Sequence, residues 1–87
     1  MKYFIKTENL ASRVIEGQAF IINTKTSMLH ELDETGTFIW NLIEKKKNRL
    51  EILRELTTHF DVTDIVAERD LGEFLSELKK MGLIDIQ

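Results

Sequence analysis

One stretch constrains this chain more than any other: Leu32-Asp33-Glu34-Thr35-Gly36-Thr37-Phe38-Ile39-Trp40-Asn41-Leu42-Ile43. It joins a region of short β-branched runs to a region of helical periodicity. Asp33 is suited to cap a helix by accepting a backbone N–H, and Glu34 lies near the positive end of the helix dipole. Phe38, Ile39, Leu42 and Ile43 fall on one helical face. The order of elements is therefore strands first and helices second. The stretch carries no chemistry of its own.

Before it, Leu10–Glu16 contains Val14 and Ile15 and ends at the turn signal Glu16-Gly17. Ala19-Phe20-Ile21-Ile22-Asn23 is a compact β-branched and aromatic strand. The polar Asn23–Ser27 segment suits a hairpin loop, and Met28–Leu32 returns as a third strand. Loops this short make consecutive strands antiparallel neighbours, which leaves the third strand at an edge. After the join, the first helix runs over Glu34–Glu44 and stops at Lys45-Lys46-Lys47-Asn48. A second covers Arg49–Phe60, capped by Asn48, with Ile52, Leu53, Leu56 and Phe60 on one face. A third runs from Asp64 to Gly82, a left-handed stop, with Ala67, Leu71, Phe74, Leu75, Leu78 and Met81 at helical spacing. Leu83–Ile86 either adds a short strand or simply packs. The expected class is α+β: a three-stranded antiparallel sheet followed by three helices, winged-helix-like.

At 87 residues, the chain is read as one domain spanning 1–87. A domain this small buries only ~60–65% of its unfolded surface, so nearly all its apolar residues belong to the core. There is no apolar run of ~20 residues to span a membrane. Met1–Lys6 is too short and too soon charged for a signal peptide, and a cytoplasmic location is the expectation. Cysteine is absent, which excludes disulfides, thiolate nucleophiles and thiolate metal sites.

Catalytic and cofactor chemistry has few candidates. His30 and His59 each stand alone, so zinc is not expected. His59 reads as an exposed polar residue ending its helix. His30 shares a strand face with Met28 and Leu32, either inward or at the rim beside the third helix. Asp70, Glu73 and Glu77 share helical spacing, as a solvated face or as an acidic rim for a basic peptide. Gly17, Gly36, Gly72 and Gly82 are too scattered to cradle phosphate. Gly72 stands mid-helix, where glycine costs ~1 kcal/mol relative to alanine; close approach of another backbone or a neighbouring helix would explain it. No nucleophile motif is present, and neither an enzyme nor a cofactor is expected.

Residues 61–87 hold seven acidic side chains against three basic ones. A winged-helix DNA-binding regulator is the alternative reading that the architecture allows, but such a surface repels duplex phosphate, and the third helix offers Glu68, Asp70, Glu73 and Glu77, with only Lys79 and Lys80 at its far end. An interaction subunit without a peptide ligand is a further possibility.

The patterns Phe20-Ile21-Ile22-Asn23, Leu32-Asp33-Glu34-Thr35-Gly36 with Phe38-Ile39-Trp40, Asp61-Val62, and Asp70-Leu71-Gly72-Glu73-Phe74 through Gly82-Leu83-Ile84 resemble the PqqD family, the precursor-recognition elements of ribosomal-peptide biosynthesis. The resemblance covers about residues 5–86. Asp33 stands where asparagine is frequent in the family, and either residue caps a helix. The resemblance implies a non-catalytic module that binds the leader segment of a precursor peptide. The module presents it to a modifying enzyme such as a radical-SAM protein, a cyclase or a leader peptidase. It implies a leader added as a further strand on the third strand and lying against the third helix. The expected contacts are Met28, Leu29, His30, Glu31 and Leu32 opposite Val66, Arg69, Asp70, Glu73, Phe74 and Glu77, with Phe74 more a core residue than a contact. Partners other than peptide and enzyme (nucleic acid, membrane) are not expected, and the chain is read as a monomer or weak homodimer.

Overall fold

A computed structural model describes residues 2–6 and 8–87. Met1, part of the N-terminal segment discussed above, lies outside them. The elements in order are β1 (Tyr3–Ile5), β2 (Leu10–Ile15), β3 (Gln18–Asn23), β4 (Met28–Glu31), α1 (Glu34–Glu44), α2 (Arg49–His59), α3 (Asp64–Lys80) and β5 (Ile84–Ile86). The three expected strands and three expected helices are all present, with ends within two residues of the sequence reading.

Local chemistry sets the boundaries. Glu16 and Gly17, with φ of 52° and 79°, make the two-residue turn that pairs Ile15 with Gln18. The Asn23 side-chain oxygen accepts from the N–H groups of Lys25 and Thr26 at 3.0 and 3.2 Å, which turns the chain into β4. Asp33 Oδ1 accepts from the Gly36 N–H at 2.7 Å and starts α1. Asn48 and Glu51 cap α2 reciprocally, each bond 2.9 Å. Thr63, to which the sequence reading assigned nothing, caps α3. Gly82, at φ 74°, ends α3 with the paired bonds Gly82 N–H to Lys79 and Leu83 N–H to Leu78.

One expectation needs correction. The β2-β3-β4 meander is not the whole sheet structure, because β1 and β5 form a second, two-stranded antiparallel sheet. Leu83–Ile86 therefore contributes a true strand, and its partner Tyr3–Ile5 went unassigned because three residues are too few to show a period. Lys2 and Gln87 exchange backbone bonds, tying the two ends of the chain together. Of the two explanations for Gly72, no backbone is pressed against it, while the neighbouring α2 does reach it: a Cβ there would be in ordinary contact with the Arg49 guanidinium, at 3.7 Å.

α1 lies at the centre, packed by β1, β3 and α2. It buries Trp40 and Thr37 as well as Ile39, Leu42 and Ile43, more of its circumference than the one face expected from the sequence. Ala19 and Ile21 of β3, Ile52 and Leu56 of α2, and Ala67, Leu71, Leu75 and Leu78 of α3 share the core with Tyr3, Leu32, Leu83 and Ile84. No helix among the described residues is long and apolar enough to cross a membrane.

Thr37 joins the sheet to this helix. Its hydroxyl accepts from the Ala19 N–H at 2.8 Å and donates to the Leu32 carbonyl at 3.4 Å, while Leu32 N–H bonds Ala19 directly at 2.9 Å. Thr37→Val, which keeps the shape but strands a buried N–H, is expected to destabilise the fold by about 2–3 kcal/mol in chemical denaturation, and Thr37→Ser by only about 1 kcal/mol. Gly72→Ala is expected to stabilise by up to ~1 kcal/mol, since the helix gains propensity without a clash; a loss of stability would show that the position is tighter than its geometry.

Candidate functional site

The strand order β2-β3-β4 leaves β4 with one neighbour. Its hydrogen-bonding parity follows from one bond: the Leu32 N–H donates to Ala19, the residue on β3 opposite it in the register Ile21↔His30 and Asn23↔Met28. Backbone groups alternate along a strand. Met28, His30 and Leu32 thus turn their N–H and C=O toward β3, whereas Leu29 and Glu31 point theirs outward, unpaired. The sequence left this choice open.

Where the β4 edge runs out, through Leu32 and Asp33 into α1, a groove of about 300 Å³ begins. Its walls are Asp33, Thr35, Gly36 and Ile39 from the start of α1, and Asp70, Glu73, Phe74 and Glu77 from α3. Gly36 makes the close approach possible. A Cβ there would stand 3.1 Å from both Asp33 Oδ1 and the Phe74 ring. Phe74 is therefore core and wall together, partly buried against the cluster and lining the groove.

Four carboxylates and no basic side chain line the groove. Asp33 is engaged by its helix cap, and Asp70 lies 3.4 Å from the exposed guanidinium of Arg69. Glu73 and Glu77 form no ion pair among the described residues. A smaller depression of about 100 Å³ shares Thr35, Ile39 and Asp70 with the groove and is otherwise walled by the apolar Leu56, Phe60, Val62 and Ala67. No three His, Cys, Asp or Glu side chains converge as a metal site among the described residues.

Of the sequence-predicted contacts, Asp70, Glu73, Phe74 and Glu77 line the groove together, while Val66 and Arg69 do not. Met28 and Leu29 are more than half exposed on β4, and Glu31 is exposed. His30 is half-buried opposite the fully buried Ile21, on the inward face. Leu32 is a core residue, 6% exposed, so its side chain is not offered to a ligand. His59 is exposed as expected but stacks on Phe38, with ring centroids 4.5 Å apart. The contribution of the α1 start was missed; the glycine in Leu32–Gly36 was its one visible signal.

A comparison with curated protein sequences finds no significant match. Two solved structures match nearly end to end. TbiB1, in complex with the TbiA(beta) leader peptide, is 27% identical with a TM-score of 0.89, covering 97% of this chain and 96% of its own. A lasso peptide synthetase B1 complexed with the leader peptide is 15% identical with a TM-score of 0.90, over 99% and 100% of the two chains; at that identity it bears on the fold alone. The family model described as coenzyme PQQ synthesis protein D (PqqD) matches residues 18–84. The chain belongs to the PqqD family.

Proposed function

We propose that this protein is a cytoplasmic, non-catalytic recognition module, one domain over 1–87, that captures the leader segment of a ribosomally made precursor peptide and presents it to a modifying enzyme. One observation carries the reading. The unpaired edge of β4 ends at a groove on α3, in a fold shared along nearly its whole length with a protein solved holding a leader peptide. An added strand would bond the outward groups of Leu29 and Glu31, main-chain bonds supplying affinity and alternate side chains supplying selectivity. Continuing past the edge, it would meet Asp70, Glu73, Phe74 and Glu77. The acidic lining favours Lys or Arg on the leader, and the apolar depression beside it favours one apolar side chain. Met28, His30, Val66 and Arg69 would then act at the rim, and Leu32 through its packing. The enzyme partner would be a radical-SAM protein, a cyclase or a leader peptidase. No observation favours a DNA-binding role, since α3 presents Glu68, Asp70, Glu73 and Glu77 to solvent.

The test begins with capture of a short peptide on the full chain from native-host extract, followed by titration of that peptide. The parity of β4 then predicts unlike effects for two adjacent prolines. His30→Pro removes a donor facing β3 and should lower stability by about 3 kcal/mol. Glu31→Pro removes an outward donor, and should leave melting nearly unchanged while weakening peptide binding about tenfold or more, the loss of one main-chain bond and its strand geometry. Two folded variants that both bind normally would rule out strand addition at β4.

Charge in the groove gives a separate readout. Exposed ion pairs contribute ~0–1 kcal/mol each, so Glu73→Lys with Glu77→Lys should weaken a leader bearing Lys or Arg by about tenfold and flatten its salt dependence. An unchanged affinity would mean that α3 carboxylates do not read the peptide.

A further inference from the structure

The sheet has a second face that the leader site does not use. Ala19 and Ile21 of β3 are fully buried, so Phe20 and Ile22 point the other way. Phe20 is half-buried yet is not among the side chains that pack on the core. The register places it between Arg13 of β2 and Glu31 of β4, and places Ile22 between Ala11 and Leu29. Ile22 and Leu29 are 40% and 55% exposed. The outer face is thus an apolar centre with a cation on one margin and an anion on the other. Arg13 and Glu31 lie two strands apart, roughly 10 Å at ~4.8 Å per strand, with the Phe20 ring between them, and form no ion pair with each other. Neither has an ionic partner among the described residues.

We propose that this face is a docking surface for a second copy of the chain. A two-fold axis laid along β3 maps β2 of one copy onto β4 of the other. It sets Arg13 over Glu31 of the partner subunit and Ala11 over Leu29 of the partner subunit, small against large. Phe20 and Ile22 meet their own counterparts at the axis. A self-complementary patch of this kind is what a two-fold interface requires. An axis laid across the strands would instead set Arg13 on Arg13, which repulsion disfavours. The face is three strands wide, roughly 14 Å, so the area buried falls below the ~1,200 Å² of standard interfaces and the dimer is weak and in fast exchange. A leader added to β4 would extend the same sheet without covering this face, so a dimer would display two leaders at once.

Sedimentation equilibrium on the full chain, from about 10 µM to about 1 mM, spans the range in which an interface of this size associates. The expected result is concentration-dependent dimerisation of the natural sequence. Arg13→Glu and Glu31→Arg each set like charges together twice per dimer, and should raise the dissociation constant at least about tenfold. The double variant should restore it to within about threefold, since both pairs re-form in reverse. Phe20→Ser should weaken the dimer without lowering the melting temperature, because Phe20 does not support the core. A natural chain that stays monomeric at every concentration overturns the proposal. So does a dimer indifferent to all four variants, which would point to edge-to-edge pairing through β2.

Discussion

The Thr37 hydroxyl is the contact on which the arrangement of this protein turns. Thr37 is 4% exposed, and its hydroxyl bonds both strands at the point where β3 and β4 part. Without it, the Ala19 N–H would have to reach the Leu32 carbonyl, and the strand pair would close as an ordinary ladder. With it, the ladder takes in a side chain from α1, and the chain turns from strand to helix across two residues. The position of α1 follows from this, and so does that of everything packed on α1: β1, α2 and, through α2, α3.

The candidate site is a by-product of the same turn. Asp33 caps α1 by bonding the Gly36 N–H, and Gly36 in turn leaves room for Phe74 of α3. A groove therefore opens where β4 ends, lined by Ile39 and Phe74 and by four carboxylates. The edge strand stays free because the helices cover one face of the sheet, leaving the ends of the β2-β3-β4 order unpaired. A free edge is ordinarily an aggregation hazard. Here the outward groups of β4 belong to only two residues, Leu29 and Glu31, a row short enough for one added strand to satisfy.

Much of this was legible in the residues. Caps at Asp33 and Asn48, the Gly82 stop, the Glu16-Gly17 turn and helical spacing in three segments are local signals, and local signals survive in a one-dimensional reading. The spacing of Asp70, Glu73 and Glu77 showed an acidic face on α3, and the family resemblance was what set a peptide against it. Short loops had already left the third strand at an edge. The parts not legible are those made by residues far apart in sequence. β1 and β5 are three residues each and recognise one another across the whole chain. Thr37 looked like any helical threonine, and Gly36 like part of a capping sequence. Gly72 left a close backbone or a neighbouring helix open, and only the Arg49 side chain of α2 comes near it.

The sequence by itself determined the order and approximate bounds of β2 to β4 and of the three helices, and the acidic character of α3, because these depend on propensity, capping and charge within a few residues. Tertiary structure decided which backbone groups of β4 face outward, which side chains of β3 are core and which are surface, and that the start of α1 forms half of the groove. The physical reason is that register and packing are pairwise properties of distant segments. A one-residue shift between β3 and β4 would exchange Ile21 with Phe20, and the inner face with the outer, without altering any local signal.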